Sequence, residues 1–512
     1  MSIEVPPSPA TPAVDTPRAY SRGETAGWML LTGGSQGIKL VVTLLSAAIL
    51  ARLLKPEDFG LIATATPVFA FATMLQNLGL AEALYQRPNL ERGHVNALFV
   101  ITIGISLAFS VVLFLLAPLI ASVFHEPRLV QIIWAMAGVA MLIAIATIPF
   151  GMLSRKLRFK QFAAVDVASS VGGIVAGVVF AMLTHNYWAL VIMQATTALI
   201  MVIGAFAFAG WAPGKPTFDG ELRKMVGLGA GFSAFNLLNF LSRNADLLLI
   251  SFAHGPGPLG LYERAYKLTM FPLWQAIAPI NRVLTPVLSR LQDDPVTYRE
   301  RYFETTSIMM AAVQPGLIAA IVFSSAAVGI ILGPGWGGSA PIFFWLGLTG
   351  LVQIYAYPVS WLLISQGRAK ECAAMGVCVA GIALASFVIG LPFGPLGVAM
   401  AYAIGDITLR TPIAWWFAGR RGPVSFASLA SNFVPHAIAM AASAAVLAAL
   451  SRVWAFESFP ELCLATLVSY AVYAPVLFIF PDKRRLARLA VTAVQRRLRA
   501  RAPKPAATEG ST

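Results

Sequence analysis

The chain runs to 512 residues, of which 58% are hydrophobic and only 12% charged, with a mean hydropathy of +0.74. Soluble domains carry roughly a quarter charged residues, so the polar residues needed to coat two or three soluble domains are missing and a soluble enzyme is excluded. The net charge of +14 does not indicate nucleic acid, because the basic residues sit mostly in loops and tails, and three cysteines in apolar runs make neither a disulfide framework nor a metal site. What remains is an all-α integral membrane protein.

In chain order, residues 1–23 hold five prolines and no apolar core, which predicts a disordered N-terminal tail and not a signal peptide. A membrane-crossing helix needs about 20 mostly apolar residues. Such runs fall near 26–51, 59–80, 96–122, 130–152, 161–183, 187–210, 226–253, 258–282, 305–332, 341–365, 370–391, 395–418, 430–452 and 459–480, predicting about 14 transmembrane helices. With both termini on one side, that side collects 27 of the 37 Lys and Arg residues and the other side four: Arg52, Lys55, Arg128 and Arg452. The positive-inside rule then places both termini in the cytoplasm. Past the last span, Leu486, Leu489, Ala493 and Leu498 recur at helical spacing among arginines, so residues 482–512 read as a basic amphipathic cytoplasmic tail on the anionic inner leaflet; a solvated basic tail is the alternative.

The sequence repeats itself at an offset of 200: Pro56-Glu57-Asp58-Phe59-Gly60-Leu61 aligns with Pro256-Gly257-Pro258-Leu259-Gly260-Leu261. Six spans separate the copies, an even number, so the halves run parallel about an axis normal to the membrane. The expected organisation is two parallel six-helix lobes, 24–214 (spans 1–6) and 215–421 (spans 7–12), followed by two C-terminal helices in 422–481. Polar stripes match as well. In the first span Thr32, Gln36, Lys39, Thr43 and Ser46 share a helix face, and in the seventh Ser233, Asn236, Asn239, Arg243 and Asp246 do so. Facing lipid they would be costly, so they are expected to line opposing walls of one cavity.

Six cations lie within spans (Lys39, Arg243, Arg264, Lys267, Arg282 and Arg410) against four acids, Asp166, Asp246, Glu263 and Asp406. A charge at mid-bilayer costs at least about 2.5–3.5 kcal/mol, so each needs a partner or a wet cavity. Spacings of three and four offer Arg243 with Asp246, Glu263 with Lys267 and Asp406 with Arg410. They leave Lys39, Arg264 and Arg282 without a local partner, facing a lone Asp166. The cavity is therefore expected to be net positive and suited to a phosphate or pyrophosphate. Lys39 and Arg264 lead the candidates, Arg243 and Lys267 follow, and Gln36, Asn236 and Asn239 contribute polar walls. Helix–helix glue is the competing role for each. Pro272, Pro279 and Pro286, spaced at sevens, mark a bending element or a static bend.

Other patterns carry no chemistry. Gly255-Pro256-Gly257-Pro258-Leu259-Gly260 satisfies G-x-G-x-x-G but follows no strand, and no G-x-x-x-x-G-K-[ST] occurs, so no cofactor or nucleotide site is expected. His436, the one histidine within a span, reads as packing.

Ala51-Arg52-Leu53-Leu54-Lys55-Pro56-Glu57-Asp58-Phe59-Gly60-Leu61 resembles the loop after the first helix of bacterial polysaccharide flippases of the Wzx type, in the polysaccharide-transporter branch of the multidrug/oligosaccharidyl-lipid/polysaccharide exporter superfamily. Ser154-Arg155-Lys156-Leu157-Arg158-Phe159-Lys160, the stretch Asn236–Asp246, Leu259-Gly260-Leu261-Tyr262 and Ala265-Tyr266-Lys267-Leu268 extend the resemblance over most of residues 25–420. The resemblance implies a non-enzymatic transporter of the bacterial inner membrane. It would move undecaprenyl-pyrophosphate-linked oligosaccharide units outward for lipopolysaccharide or exopolysaccharide synthesis by alternating access. It also implies contact with membrane lipids, admits polysaccharide polymerase and export machinery as partners, and admits H+ or Na+ coupling through Asp246, Asp166 or Asp406. A multidrug exporter of the same superfamily, and a membrane polymerase or acyltransferase on the same glycolipid, are the alternatives.

Overall fold

The computed structural model describes residues 39, 42–77, 91–219, 244–454 and 457–484; among these the chain is helical throughout its regular structure, with no strand. Lipid offers the backbone no hydrogen bonds, so a spanning segment must satisfy its own, and a helix does that within one segment. The helices are α1 (Val42–Leu53), α2 (Pro56–Asn77), α3 (Arg92–Val123), α4 (Arg128–Arg155), α5 (Phe159–Thr184), α6 (Trp188–Ala209), α7 (244–254), α8 (Pro256–Arg290) and α9 (Pro295–Val322). They continue with α10 (Ser324–Leu332), α11 (Ser339–Ala356), α12 (Val359–Ser365), α13 (Ala369–Gly390), α14 (Gly394–Gly405), α15 (Thr411–Gly419), α16 (Phe426–Leu450) and α17 (Phe459–Ile479).

Among the described residues, nine stretches are long and apolar enough to cross a membrane. One of them, Ala369–Gly419, spans 51 residues. A straight helix of that length would reach about 75 Å, far beyond a hydrocarbon core of about 30 Å. A 3-10 turn at Leu391–Phe393 and Gly394, at φ +74°, divide it into two passes. With α1, α2, α7 and α8, the chain is an all-helical membrane protein of roughly fourteen helices. Two expected spans are broken. The tenth stops at Ala356 and resumes at Val359, because Pro358 has no N–H to continue the ladder. The ninth is divided into α9 and α10 at Phe323, and α9 starts earlier than its apolar run: Asp294 accepts from the Val296 and Thr297 N–H groups, with Pro295 opening the helix. In contrast, α8 runs as one helix through Pro272, Pro279 and Pro286. Residues 1–23, and the tail beyond 484, lie outside the described residues.

The chain forms two compact units, one of residues 1–264 with 331–339 and 387–398, the other of 265–330, 340–386 and 399–512. In the first, small residues let backbones touch. Ser169, Gly173, Gly177 and Ala181 make a buried stripe on α5, and a Cβ added to Gly173 would stand 2.6 Å from the Met193 carbonyl of α6. The first turns of α2 and α8 cross even more closely. A Cβ on Gly60 would lie 1.6 Å from the Pro256 carbonyl oxygen, and one on Gly260 would lie 1.8 Å from that of Pro56. Gly60 meets Pro256 while their repeat mates, Gly260 and Pro56, meet each other, the signature of a contact lying on a two-fold axis. Beside it, Phe59 packs edge-on against Trp336 at 5.3 Å, and the Trp336 indole donates to the Ala51 carbonyl (2.7 Å).

The repeat recurs in loop chemistry. After α4, the Leu157 N–H donates to Ser154 O (3.0 Å) and the Arg158 N–H to Leu153 O (2.9 Å); after α12, Gly367 and Arg368 do the same to Ile364 (3.1 Å) and Leu363 (2.9 Å). Both turns use positive φ, +54° at Leu157 and +68° at Gly367. The cations of each loop then cap a neighbouring helix end. Lys156 donates to Ala209 and Gly210, and Arg158 to Phe208, at the end of α6. Arg368 donates to Phe417, Ala418 and Arg421 at the end of α15. Positive charge there complements the negative end of the helix dipole.

In the second unit, buried tyrosines and tryptophans (Tyr298, Tyr302, Tyr355, Trp361 and Trp415) form the core. Between α9, α16 and α17 lies a buried polar ladder. Lys483, just past α17, is 6% exposed and donates to Ser307 Oγ (3.0 Å) and to Asn432 Oδ1. The first cation of the expected surface tail is thus an interior group, held by two polar side chains that the apolar runs of spans 9 and 13 conceal.

Two outcomes follow from this packing. Gly60→Ala and Gly260→Ala each force the crossing apart and cost about 1–3 kcal/mol, seen as a lowered thermal midpoint in detergent. Gly257→Ala, whose Cβ meets nothing within 4 Å, leaves the midpoint in place. Burial pushes the Lys483 ammonium down to about 8 from 10.5. The unfolded chain therefore holds a proton between about pH 8 and 10.5 that the folded chain has released, and stability rises with pH across that window and not below it. Lys483→Met abolishes that rise in a pH series of thermal unfolding.

Candidate functional site

Of the residues expected to carry function, Gln36, Asn236, Asn239 and Arg243 lie outside the described residues, as does the side chain of Arg282. The others fall into three charged groups. In the first unit, Lys39 Nζ lies 2.8 Å from Asp166 Oδ1, both partly exposed, with side chains 27% and 22% accessible. Asp166 sits on α5, where its carbonyl accepts from Ser169 and Ser170. The pair therefore joins the expected polar stripe of the first span to the fifth.

The second group stands on α7 and the opening turns of α8. Asp246 is buried and accepts from the Tyr262 hydroxyl (3.0 Å) and the Leu247 N–H (2.9 Å). Next to Tyr262, Glu263 accepts two bonds from Arg264, at 2.7 Å from Nε and 3.2 Å from Nη2. The Arg264 guanidinium lies 4.1 Å over the ring of Phe59. Thr64 and Ser251 share a buried hydroxyl bond of 2.6 Å close to the Gly60 crossing. The G-x-G-x-x-G stretch is the α7–α8 turn itself: Gly255 supplies φ +78° and Gly260 the close approach.

The third group is in the second unit. Asp406 Oδ1 meets Arg410 Nη1 at 2.8 Å across a five-residue π-turn, Asp406–Arg410, that joins α14 to α15. Arg410 lies 4.9 Å over the Tyr402 ring, whose hydroxyl accepts from Gln353 (3.0 Å). Lys267 stands exposed on α8.

This arrangement corrects the expectation of unpartnered cations. Lys39 and Arg264 each meet a carboxylate. The partner of Lys39 is 127 residues away in sequence, out of reach of any local rule. That of Arg264 is the preceding residue, reached because a long guanidinium can fold back beside its own helix. The Asp406–Arg410 pair forms at the spacing expected, but the π-turn that carries it has no sequence signal. Burial also ranks the pairs. Arg264 with Glu263 (13% and 7%) and Arg410 with Asp406 (16% and 3%) are enclosed, whereas Lys39 and Asp166 are each more accessible.

A family model described as polysaccharide biosynthesis protein matches residues 49–341, more than half the chain. The chain belongs to this family of polysaccharide biosynthesis proteins. Within it, the chain is 24% identical over 376 residues to the lipopolysaccharide biosynthesis protein WzxC of Escherichia coli K12, covering 71% of this chain and 75% of that one. It is 25% identical to the succinoglycan biosynthesis transport protein ExoT of Rhizobium meliloti 1021, covering 68% and 69%. In fold it matches a solved structure of the lipid II flippase MurJ in an inward closed conformation at a TM-score of 0.72, with 14% identity, over 90% of this chain and 100% of that one. The likeness to Wzx-type polysaccharide transporters read from residues 51–61 is thereby shown. The region matched to the polysaccharide biosynthesis family takes in Asp166, Asp246, Glu263 and Arg264.

A double-mutant cycle tests the one open pair. Lys39→Met and Asp166→Asn each lower the thermal midpoint, while the double change costs less than their sum, with a coupling of about 1 kcal/mol for a partly exposed pair. Additive losses would mean that the two side chains do not bond in the folded protein.

Proposed function

We propose that this protein is a flippase for oligosaccharide units on undecaprenyl pyrophosphate, carrying them across the bacterial cytoplasmic membrane by alternating access and supplying polysaccharide polymerase and export machinery. The observation that carries this reading is a reachable lysine–carboxylate pair, Lys39–Asp166, inside a many-span member of the polysaccharide biosynthesis family. The excess of Lys and Arg on one set of loops supports cytoplasmic termini. No bond in the glycolipid is made or broken; the protein exchanges one set of charge contacts for another.

Lys39 is the primary contact for the pyrophosphate, with Arg264, Arg243 and Lys267 adding positive charge and Gln36, Asn236 and Asn239 hydrogen bonds. The anion must displace Asp166 from Lys39. Placing a proton or Na+ on Asp166 does the same, so cargo and ion favour one open state of the pair, and such differential affinity is what couples two ligands. Asp246 and Asp406 are the further ion-handling carboxylates; Asp246 accepts from the Tyr262 hydroxyl, and Asp406 pairs with Arg410, which lies over the Tyr402 ring.

Losing one charge-assisted contact to a phosphate costs about 1.5–3 kcal/mol, roughly ten- to hundredfold in affinity. Lys39→Ala with Arg264→Ala is expected to stop polymer export at unchanged protein level. Lys39→Ala alone accounts for most of the loss in a leaflet-accessibility assay with labelled lipid-linked oligosaccharide. Asp166→Asn keeps the cargo contact but makes flipping insensitive to an imposed ion gradient. Normal export by the well-expressed double variant removes the pyrophosphate assignment.

A further inference from the structure

Six consecutive residues at the start of α3, His94 to Phe99, are buried, although a helix at the surface of a bundle buries one face and shows the other. What covers the other face is the segment that leaves α6. Gly210 ends α6 at φ +55°, and residues 211–219 then run without helix or strand. Pro213 and Pro216 lack the N–H that either would use. Trp211 anchors the segment, buried and edge-on to Phe99 at 5.2 Å. Further along, the Lys215 carbonyl accepts from Asn96 Nδ2 (3.0 Å), and the Thr217 N–H donates to Gly93 O (3.0 Å). Gly93 permits that approach, since a Cβ there would stand 2.0 Å from Thr217 Oγ1. Asp219 closes the run. Its Oδ2 lies 2.8 Å from His94 Nε2, with the imidazole 8% accessible and the carboxylate 40%.

We propose that residues 211–219 form a releasable latch on α3 and that the His94–Asp219 contact is its proton-dependent clasp. His94 stands in the first turn of α3, where the positive end of the helix dipole opposes a second proton on the ring. Docking of the latch brings in Asp219, which favours that proton. Proton and latch therefore bind α3 together, each raising the affinity for the other. Of the other charged groups at this end, Glu91 and Arg92 on α3 and Lys215 on the latch are exposed, so solvent and salt screen them. Arg155 and Lys156 close α4, and Lys156 is held by the Ala209 and Gly210 carbonyls. α6 carries no charged residue and α2 none after Asp58. A neutral imidazole can still donate to the carboxylate, but without the help of charge. The clasp is therefore strongest on the acid side of the histidine range, between about pH 5 and 8, and eases as the pH rises. The latch lies in the stretch of chain that leads from the first copy of the repeat to the second. Released, its nine residues extend up to about 30 Å, so docking takes up slack in that connection. The use of such slack in alternating access rests on the flippase reading; the docking does not.

Millisecond hydrogen exchange, read by mass on the full chain in lipid nanodiscs and corrected for intrinsic rates, tests this at about pH 6 and pH 8. Peptides containing the Thr217 amide should exchange about fivefold more slowly at the lower pH, the size expected of a partly exposed ion pair. Asp219→Asn, a change at the more exposed partner, should bring both conditions to the faster rate while peptides from α4 to α6 stay as they were. His94→Gln keeps a neutral donor and should do the same; if it does not fold, Asp219→Asn decides alone. Equal rates at the two pH values in the parent protein, a pH response that survives Asp219→Asn, or a Thr217 amide without protection would each overturn the proposal. No cargo enters the measurement, so failure of the flippase reading leaves it unaltered.

Discussion

A bilayer interior does not tolerate an isolated charge, and the pairing that follows from this organises the protein. Lys39 has Asp166, Arg264 has Glu263, and Arg410 has Asp406. The pairs differ in how far water and ligand can reach them. Arg264 is bidentate to its carboxylate and roofed by Phe59, and Arg410 lies over Tyr402 within the π-turn. Such enclosed pairs position helices. A half-open pair such as Lys39–Asp166 can exchange partners, because each group retains part of its solvation when the bond opens. Function is expected where the cost of separation is smallest, not where charge is most deeply buried.

Pairing also needs a scaffold that brings distant segments together, and here the backbone supplies it. Where α2 crosses α8, glycine lies against a carbonyl in both directions, so a side chain at either position forces the backbones apart. Arg264 lies one turn beyond Gly260, and Phe59 directly precedes Gly60. The crossing that joins the repeat mates thus also places the guanidinium over the ring. The duplicated turns at Leu157 and Gly367, with cations capping α6 and α15, show the same repeat in chemistry that tolerates changes of residue. A leucine at positive φ in one copy and a glycine in the other satisfy the same pair of backbone bonds at different strain.

How much of this could be read in advance depends on the range of each interaction. Spans are local and apolar, so hydropathy located most of those that fall in the described residues, including the pair in Ala369–Gly419. The crossing glycines were visible because they retained identity at an offset of 200. The duplicated loops fall outside that register, since Leu157 and Gly367 are 210 residues apart and any cation can cap a helix end. The Lys39–Asp166 bond spans 127 residues and left no local pattern. Lys483 resembled the start of a solvated basic tail, and its interior partners, Ser307 and Asn432, were single polar residues in apolar runs. His436 reads as packing because its partner Tyr473, and Gln314 beyond it, sit on helices remote in sequence.

Two of the charged sites handle charge by opposite means. At Lys39–Asp166 a cation and a carboxylate neutralise one another. At the end of α17, Lys483 is held by neutral oxygens, so its charge is solvated by the protein without being cancelled. Added positive charge weakens such a site, whereas an anion or a proton lost nearby strengthens it. The carboxylate pair is cancelled on the spot, whereas the neutral-ligand lysine keeps its full charge and stays sensitive to every charge near it.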